Sequence, residues 1–240
     1  MSEEELESLQ KLKELLAKYG EYYKADPMIY DYVRQNFLID LESGKPLDAN
    51  RAIFEELGLN NKLQKDYYKN FIKYMKKEMG IDKNLLEVGC GILPALANRI
   101  SKEQSSGSVT VMDPKVIESY EGNIEIIKKE FTIDTDVSKY DLIYGFYPCE
   151  ATLTMIKSSF KNDKDLFLEL CGCSHGVPSG FKLNKKDASE YVIYLRYIEY
   201  IEYLLEQLSS PERDYEILKC PDLSYDIIKT YKPKNFYWFL

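Results

Sequence analysis

The sequence predicts a doubly wound α/β fold with a mostly parallel, seven-stranded sheet and an N-terminal helical extension. From residue 84 onward, short β-rich apolar runs alternate with helical segments. The first run leads into Gly89-Cys90-Gly91, a turn typical of a strand that passes directly into a helix. No strand pattern precedes residue 84, so we expect residues 1–80 to form a helical extension or lid and residues 81–240 to form the sheet domain.

The extension shows four helical segments. They cover residues 2–19, a stretch beginning near Pro27, residues 47–57 and residues 63–79. The last of these has large apolar residues at helical spacing: Leu63, Tyr67, Phe71 and Met75. A helix with one such stripe buries it against another element.

The stretch from Asn84 to Asp113 predicts a strand, a glycine turn, a helix and a second strand. Pro94 stands where the helix begins, a position that needs no N–H donor. The second strand, residues 109–112, brings Asp113 to the same sheet edge as the glycine turn if the two strands are parallel. A carboxylate at that edge can accept both hydroxyls of a ribose.

Five further strands and two long helices complete the predicted domain. The strands are expected at residues 123–131, 141–147, 165–171, 215–220 and 235–240. The helices are expected at residues 151–160 and 187–208, and the loop between residues 172 and 186 suits a mobile active-site segment.

Glu87, Gly89 and Gly91, followed by Asp113, resemble the first two motifs of the class I S-adenosylmethionine (SAM) dependent methyltransferases. A dinucleotide-binding turn places a third glycine where this chain has Pro94. The resemblance implies a Rossmann-like SAM-binding domain whose last strand runs antiparallel. It also implies that the helical extension covers the substrate side of the sheet, with an additional packing layer against the core as the alternative.

The resemblance assigns the cofactor SAM to residues at the carboxyl ends of the strands. The acid before the glycines organises the loop around the methionine part. Phe131 or Thr132, at the far end of the third strand, flanks the adenine, and two residues in the fourth strand line the methionine side. The predicted cofactor-binding residues are Glu87, Gly89, Cys90, Gly91, Asp113, Phe131, Thr132, Gly145 and Phe146.

Three polar residues are candidates for the methyl-transfer chemistry. His175 is the only histidine, and an imidazole with an ordinary pKa of about 6.5 can take a proton from a nucleophile; a loop histidine that only contacts solvent is the alternative. Tyr147 ends the fourth strand and Glu150 follows it, and in the resembled family this strand end bears the residues that face the methyl acceptor. Their Y-P-C-E motif differs from the N/D-P-P-Y motif of enzymes that methylate exocyclic amines of bases.

The cysteines raise the possibility of a zinc site, which we do not expect to be present. Cys90, Cys149, Cys171 and Cys173 share the predicted ligand edge with His175, and thiolate with imidazole ligands suits Zn²⁺. The C-x-C-x-H pattern lacks the usual C-x₂-C spacing, so we predict no metal. An odd number of cysteines, five, fits free thiols in a reducing compartment.

Charge and hydropathy restrict the partners. The net charge is −8 without a long basic block, which makes nucleic acid an unexpected partner. The acidic start lacks the features of a signal peptide, and no apolar run approaches about eighteen residues, so we expect a cytoplasmic protein without a membrane span.

These features predict a SAM-dependent methyltransferase acting on a small-molecule acceptor. Two alternatives remain: aminobutyl transfer from SAM, as in nicotianamine-synthase-like proteins, and a non-catalytic module that binds SAM or a nucleotide. The oligomeric state is open, with a homodimer as one alternative.

Overall fold

The computed structural model describes residues 67–91, 94–116, 118, 122–171, 190–223 and 225–233. Several sequence predictions lie outside these residues. They are the three helices proposed before residue 60, the loop with Cys173 and His175, and the strand proposed at residues 235–240.

A seven-stranded sheet forms the centre of the molecule, with the order β3-β2-β1-β4-β5-β7-β6. The strands are β1 (Leu85–Val88), β2 (Val109–Met112), β3 (Glu125–Ile127), β4 (Leu142–Phe146), β5 (Asp165–Glu169), β6 (Asp214–Leu218) and β7 (Ile227–Tyr231). Strand β7 runs antiparallel to β5 and β6, and the pairs among β1 to β5 are parallel. The predicted fold class is confirmed.

Four described helices cover the two faces of the sheet. They are α1 (Tyr67–Glu78), α2 (Ala95–Glu103), α3 (Thr152–Lys161) and α4 (Glu190–Leu208). Buried side chains of α1 and α2 share one core cluster with Leu85, Val111 and Tyr144 of the sheet. Those of α3 and α4 share the other with Leu86 and Ile143. Alternate strand residues thus face opposite helix layers, as a parallel sheet buried on both sides requires.

Two predicted strands differ from the observed ones. The third strand is shorter than residues 123–131, since β3 is an edge strand that pairs only with Thr110, Val111 and Met112 of β2. The seventh strand lies at Ile227–Tyr231, a segment in which no strand was predicted. In this strand Lys229 contacts Glu78 and Glu216 at 3.0 and 2.9 Å, so partners from distant segments stabilise a charge in the sheet.

Helix α1 packs directly on the sheet. Phe71 and Met75 are fully buried, and the Phe71 ring lies 5.2 Å from Phe167 and 5.4 Å from Phe146 in edge-to-face geometry. The part of the predicted extension that the structure describes is therefore a packing layer. The predicted lid and the domain boundary at residue 80 stay predictions, because residues 1–66 lie outside the described part.

Candidate functional site

The carboxyl ends of β1, β2, β4 and β5 meet at one edge of the sheet. Register places Val88 beside Met112 and Phe146 beside Glu169. The segments that follow these strands therefore lie next to one another. Ligands of open α/β sheets bind at this edge, where the strand order reverses between β1 and β4.

The turn after β1 has one closed side and one open side. Gly89 and Gly91 have φ values of +78° and +72°, a region in which residues with a Cβ are strained. A Cβ on Gly89 would lie 2.8 Å from Cα and Cβ of Pro148, whereas one on Gly91 would meet no atom of the described residues within 4 Å. A ligand can thus approach the backbone at Gly91, while Gly89 is needed for packing.

Asp113 connects the end of β2 to this turn. Its Oδ2 accepts the backbone N–H of Gly91 at 2.9 Å, and its Oδ1 accepts that of Lys115 at 2.7 Å. The residue is 8% exposed, and burial raises the pKa of its carboxyl despite these two hydrogen bonds. Each oxygen keeps a lone pair, so the fixed carboxyl can still accept two hydroxyl groups.

Glu87 is buried before the turn, at the junction of sheet and helix. Its carboxyl accepts the Tyr144 hydroxyl at 3.3 Å and also the backbone N–H of Ala97 in α2. Burial is the main cause that raises the pKa of Glu87 to about 8, and the charge of Asp113 adds to it. This carboxyl is therefore mostly protonated at neutral pH.

The cysteines described at this edge are free thiols or disulfide-bonded. Cys90 is half-buried, its thiol donates to the Gly91 carbonyl at 3.3 Å, and burial raises its pKa well above the ordinary value. The prediction of free thiols is confirmed for Cys90, Cys149 and Cys220, but it is wrong for Cys171, which is disulfide-bonded.

Within the described part of the chain, no group of three histidine, cysteine or acidic side chains could hold a metal ion. Two of the candidate zinc ligands, Cys173 and His175, lie outside that part.

The described residues also include no helix that is long and apolar enough to cross a membrane.

The remaining predicted cofactor residues lie close to the core. Phe131 is 5% exposed and belongs to the core cluster that contains Met112. Thr132 begins the next turn, where its N–H donates to Thr135 Oγ1 at 2.9 Å. Phe146 packs against Tyr68 and Phe71, and a Cβ on Gly145 would lie 2.9 Å from Met155 Cε. Their contacts with a cofactor stay predictions.

The turn after β4 has an unusual backbone. Tyr147 and Cys149 have φ values of 56° and 44°, in the left-handed region that residues other than glycine seldom adopt. Tyr147 is held there by two bonds, since its N–H donates to the Glu169 carbonyl at 3.1 Å and its hydroxyl donates to Glu169 Oε1 at 2.8 Å. Such strain persists where the surroundings enforce it, often at ligand sites.

The three catalytic candidates therefore have different positions. Tyr147 lies half-buried at the ligand edge, Glu150 is solvent-exposed in a 3₁₀ turn (Cys149–Ala151), and His175 is outside the described residues. The structure brings Tyr147 together with Glu169, a residue that the sequence interpretation did not single out. The sequence feature that could have identified Glu169 is an acid near the end of an apolar strand, which is also the position of Glu87.

Solved methyltransferases share this architecture. No family model and no curated protein matches the chain. The plantazolicin methyltransferase BpumL, in complex with a monoazolic desmethylPZN analog and SAH (S-adenosylhomocysteine), is 15% identical, with 95% of this chain and 99% of that chain covered and a TM-score of 0.51. Human N-acetylserotonin methyltransferase in complex with SAM is 13% identical, with 86% and 70% covered and a TM-score of 0.47.

Magnesium protoporphyrin IX methyltransferase from Synechocystis PCC 6803 with bound SAH is 11% identical, with 86% and 98% covered and a TM-score of 0.45. Identities this low show the fold alone, and the similarity to BpumL, with its TM-score of 0.51, carries that conclusion. The chain has the fold of the class I SAM-dependent methyltransferases. The subfamily is not resolved.

Proposed function

We propose that the protein is a SAM-dependent methyltransferase that acts on a small-molecule acceptor. The observation that carries the proposal is the Asp113 carboxyl, fixed beside the glycine turn by the Gly91 N–H at 2.9 Å. This arrangement places a pair of acceptor oxygens next to an open stretch of backbone, at the edge where the sheet order reverses.

The residues present fit SAM. The ribose hydroxyls would be accepted by Asp113, and no described residue lies within 4 Å of a Cβ on Gly91, where the adjoining part of the cofactor would lie. Glu87 would hold the turn in place through its bond to the N–H of Ala97. When bound, SAM supplies a methyl group on a positively charged sulfur, which any correctly placed nucleophile can accept.

The protein's part in such a reaction is mainly positioning and exclusion of water. Tyr147 supports this role, since its two bonds to Glu169 fix it beside Pro148, which packs on the glycine turn. A small acceptor is favoured over a nucleic acid, because the net charge of −8 opposes phosphate binding.

Calorimetry with SAM and with SAH tests the cofactor assignment. Wild type should bind both, and Asp113→Ala should weaken binding about 10- to 100-fold, the effect of losing hydrogen bonds to a charged group. Asp136→Ala is the matched control, since Asp136 is an exposed acid that caps its own turn through the Ser138 N–H. Absence of SAM and SAH binding by wild type would overturn the proposal.

The spent cofactor distinguishes methyl transfer from the aminobutyl alternative. Methyl transfer leaves S-adenosylhomocysteine, whereas aminobutyl transfer leaves methylthioadenosine. Mass spectrometry of SAM incubated with the protein and a cell extract should show accumulation of S-adenosylhomocysteine that the Asp113→Ala variant does not produce. Accumulation of methylthioadenosine in its place would assign the protein to the alternative reaction.

A further inference from the structure

Three tyrosines from distant segments form a continuous aromatic group near the proposed cofactor site. Tyr147 follows β4, Tyr194 belongs to α4, and Tyr225 precedes β7. The Tyr225 ring lies 5.6 Å from the Tyr147 ring and 5.0 Å from the Tyr194 ring. All three residues are half-buried, so they border both core and solvent.

Two acidic residues contact the ends of this aromatic group, Glu169 through its carboxyl and Asp226 through its backbone N–H. Glu169 is fully buried and accepts the Tyr147 hydroxyl at 2.8 Å. Asp226 is 8% exposed, its backbone N–H donates to the Tyr194 hydroxyl at 3.0 Å, and its Oδ2 contacts Lys219 Nζ at 2.5 Å. We name Tyr147, Glu169, Tyr194, Tyr225 and Asp226 the tyrosine–carboxylate cluster.

The two acids of the cluster act on a neighbouring thiol. The pKa of the nearby Cys220 thiol is raised to about 11, mainly by burial and additionally by the charges of Glu169 and Asp226. Lys219, the cation that contacts Asp226, has a side chain that is 75% exposed, so solvent screens its opposing charge. The faces of the tyrosine rings are themselves electron-rich and attract cations.

The cluster lies beside the glycine turn. Pro148, the residue after Tyr147, packs so closely on Gly89 that a Cβ there would be 2.8 Å away. The N–H of Leu170, next to Glu169, donates to the Asp226 carbonyl at 3.0 Å, which joins the ends of β5 and β7 at this edge. A molecule in contact with the cluster would thus be near a ligand held by Gly91 and Asp113.

We propose that the methyl acceptor carries a protonated amine that the tyrosine–carboxylate cluster recognises. This inference rests on the proposed function and adds the charge class of the substrate. An amine fits because electron-rich rings and carboxyl groups attract a cation, while a carboxylate or phosphate acceptor would be repelled.

The chemistry balances for an amine acceptor. The ammonium form first gives one proton to water and becomes a neutral amine. The nitrogen lone pair then forms the N–C bond while the C–S bond of SAM breaks, with the electron pair left on sulfur. The products are an N-methylated ammonium group and the neutral thioether S-adenosylhomocysteine.

A charge series of one aromatic skeleton tests the inference on the full chain loaded with SAH. The probes are 2-phenylethylamine, 2-phenylethanol and phenylacetate, whose affinities are measured by ligand-observed NMR or calorimetry. The amine should bind at least about fivefold more tightly than the alcohol, the range expected for a cation on aromatic faces, and phenylacetate should bind most weakly. Phenylacetate binding as tightly as the amine, or no binding of any probe, would refute the inference.

Variants separate the cluster from general charge effects. Glu169→Gln keeps the shape, and the preference for the amine over the alcohol should fall toward one while SAH affinity stays within about twofold. Glu206→Gln makes the same substitution at an exposed site on α4 and should leave the preference unchanged. An unchanged preference in Glu169→Gln would contradict the assignment.

A second variant and the SAH affinity of wild type distinguish a folding defect and a wrong proposed function from a failure of this inference alone. If Glu169→Gln does not fold, Tyr147→Phe retains the ring, removes the hydroxyl bond to Glu169 and should also reduce the amine preference. Failure of wild type to bind SAH would overturn the proposed function together with this inference. SAH binding with a failed charge series would overturn the inference alone.

Discussion

The Tyr144 hydroxyl donates a hydrogen bond to the Glu87 carboxyl across 3.3 Å in the interior of the sheet domain. Tyr144 is fully buried and Glu87 is 3% exposed, so the pair joins β4 to β1 out of contact with water. Burial, followed by the charge of Glu87, raises the pKa of Tyr144 well above its ordinary value. The tyrosine therefore remains a hydrogen-bond donor over the whole physiological pH range.

The raised pKa of Glu87 makes stability depend on pH. The pKa is about 8 in the folded chain against an ordinary value of 4.5, so the folded state retains a proton that the unfolded state has released. The stability contribution is complete below pH 4.5 and is lost as pH rises through about 8. Glu87→Gln should therefore gain stability relative to wild type over that interval, by at most about 1.4 kcal/mol per pH unit.

Urea unfolding of wild type and Glu87→Gln at about pH 5, 6.5 and 8 measures this difference. Burial also raises the pKa of Asp113, and that contribution remains in both proteins, so the difference isolates Glu87. Glu150→Gln, at an exposed position, is the control. A stability difference for Glu87→Gln that does not change with pH would refute the raised pKa.

The two turn glycines should differ in what they contribute. Alanine at either position adopts a left-handed backbone at a cost of about 1–2 kcal/mol. Gly89→Ala adds the overlap with Pro148, about 1–3 kcal/mol more, whereas the Cβ of Gly91→Ala meets none of the described residues. Thermal unfolding should rank Gly89→Ala as the less stable variant.

The same pair separates packing from ligand contact. The methyl group of Gly91→Ala occupies the space in which we place the cofactor, so calorimetry should show weaker SAM binding in a protein that remains folded. Gly91→Ala thus serves as the backbone-matched control for Gly89→Ala. Equal losses of stability in the two variants would argue against a closed side at Gly89.

The sequence was sufficient to predict the elements that hold the glycine turn. Strands β1, β2, β4 and β5 are apolar runs bounded by charged or turn-forming residues, and they lie within one or two residues of their predicted positions. The contact of Asp113 with Gly91 follows from two parallel strands of equal length in direct register, Val88 beside Met112. Local pattern and strand direction determine this part of the site.

Other features depend on contacts between distant segments. Strand β7 contains Lys229, which looks unfavourable in a sheet until Glu78 and Glu216, from α1 and β6, are placed beside it. Glu169 shares a hydrogen bond with Tyr147, and Tyr225 meets Tyr147 and Tyr194 only after α4 and β7 have packed. Periodicity and spacing carry no information about such pairs, which explains why the cluster was not predicted.

The position of α1 leads to a prediction about the extent of the folded domain. Phe71 is fully buried between the rings of Phe146 and Phe167, so Phe71→Ala should lower the free energy of unfolding by about 3–5 kcal/mol. Lys73→Ala, two residues along the same helix and exposed, should change it by less than about 0.5 kcal/mol. Urea denaturation followed by circular dichroism compares the two.

A chain shortened to residues 81–240 applies the same argument to the whole helix. It would expose the apolar sheet face that Phe71, Ile72 and Met75 cover in the complete chain, and small domains have little stability to spare. We expect this shortened chain to aggregate or to lose its cooperative unfolding transition. A cooperative transition at the midpoint of the complete chain would show that α1 is dispensable. Its loss would make residues 67–78 part of the sheet domain and leave residues 1–66 as the segment available for a lid.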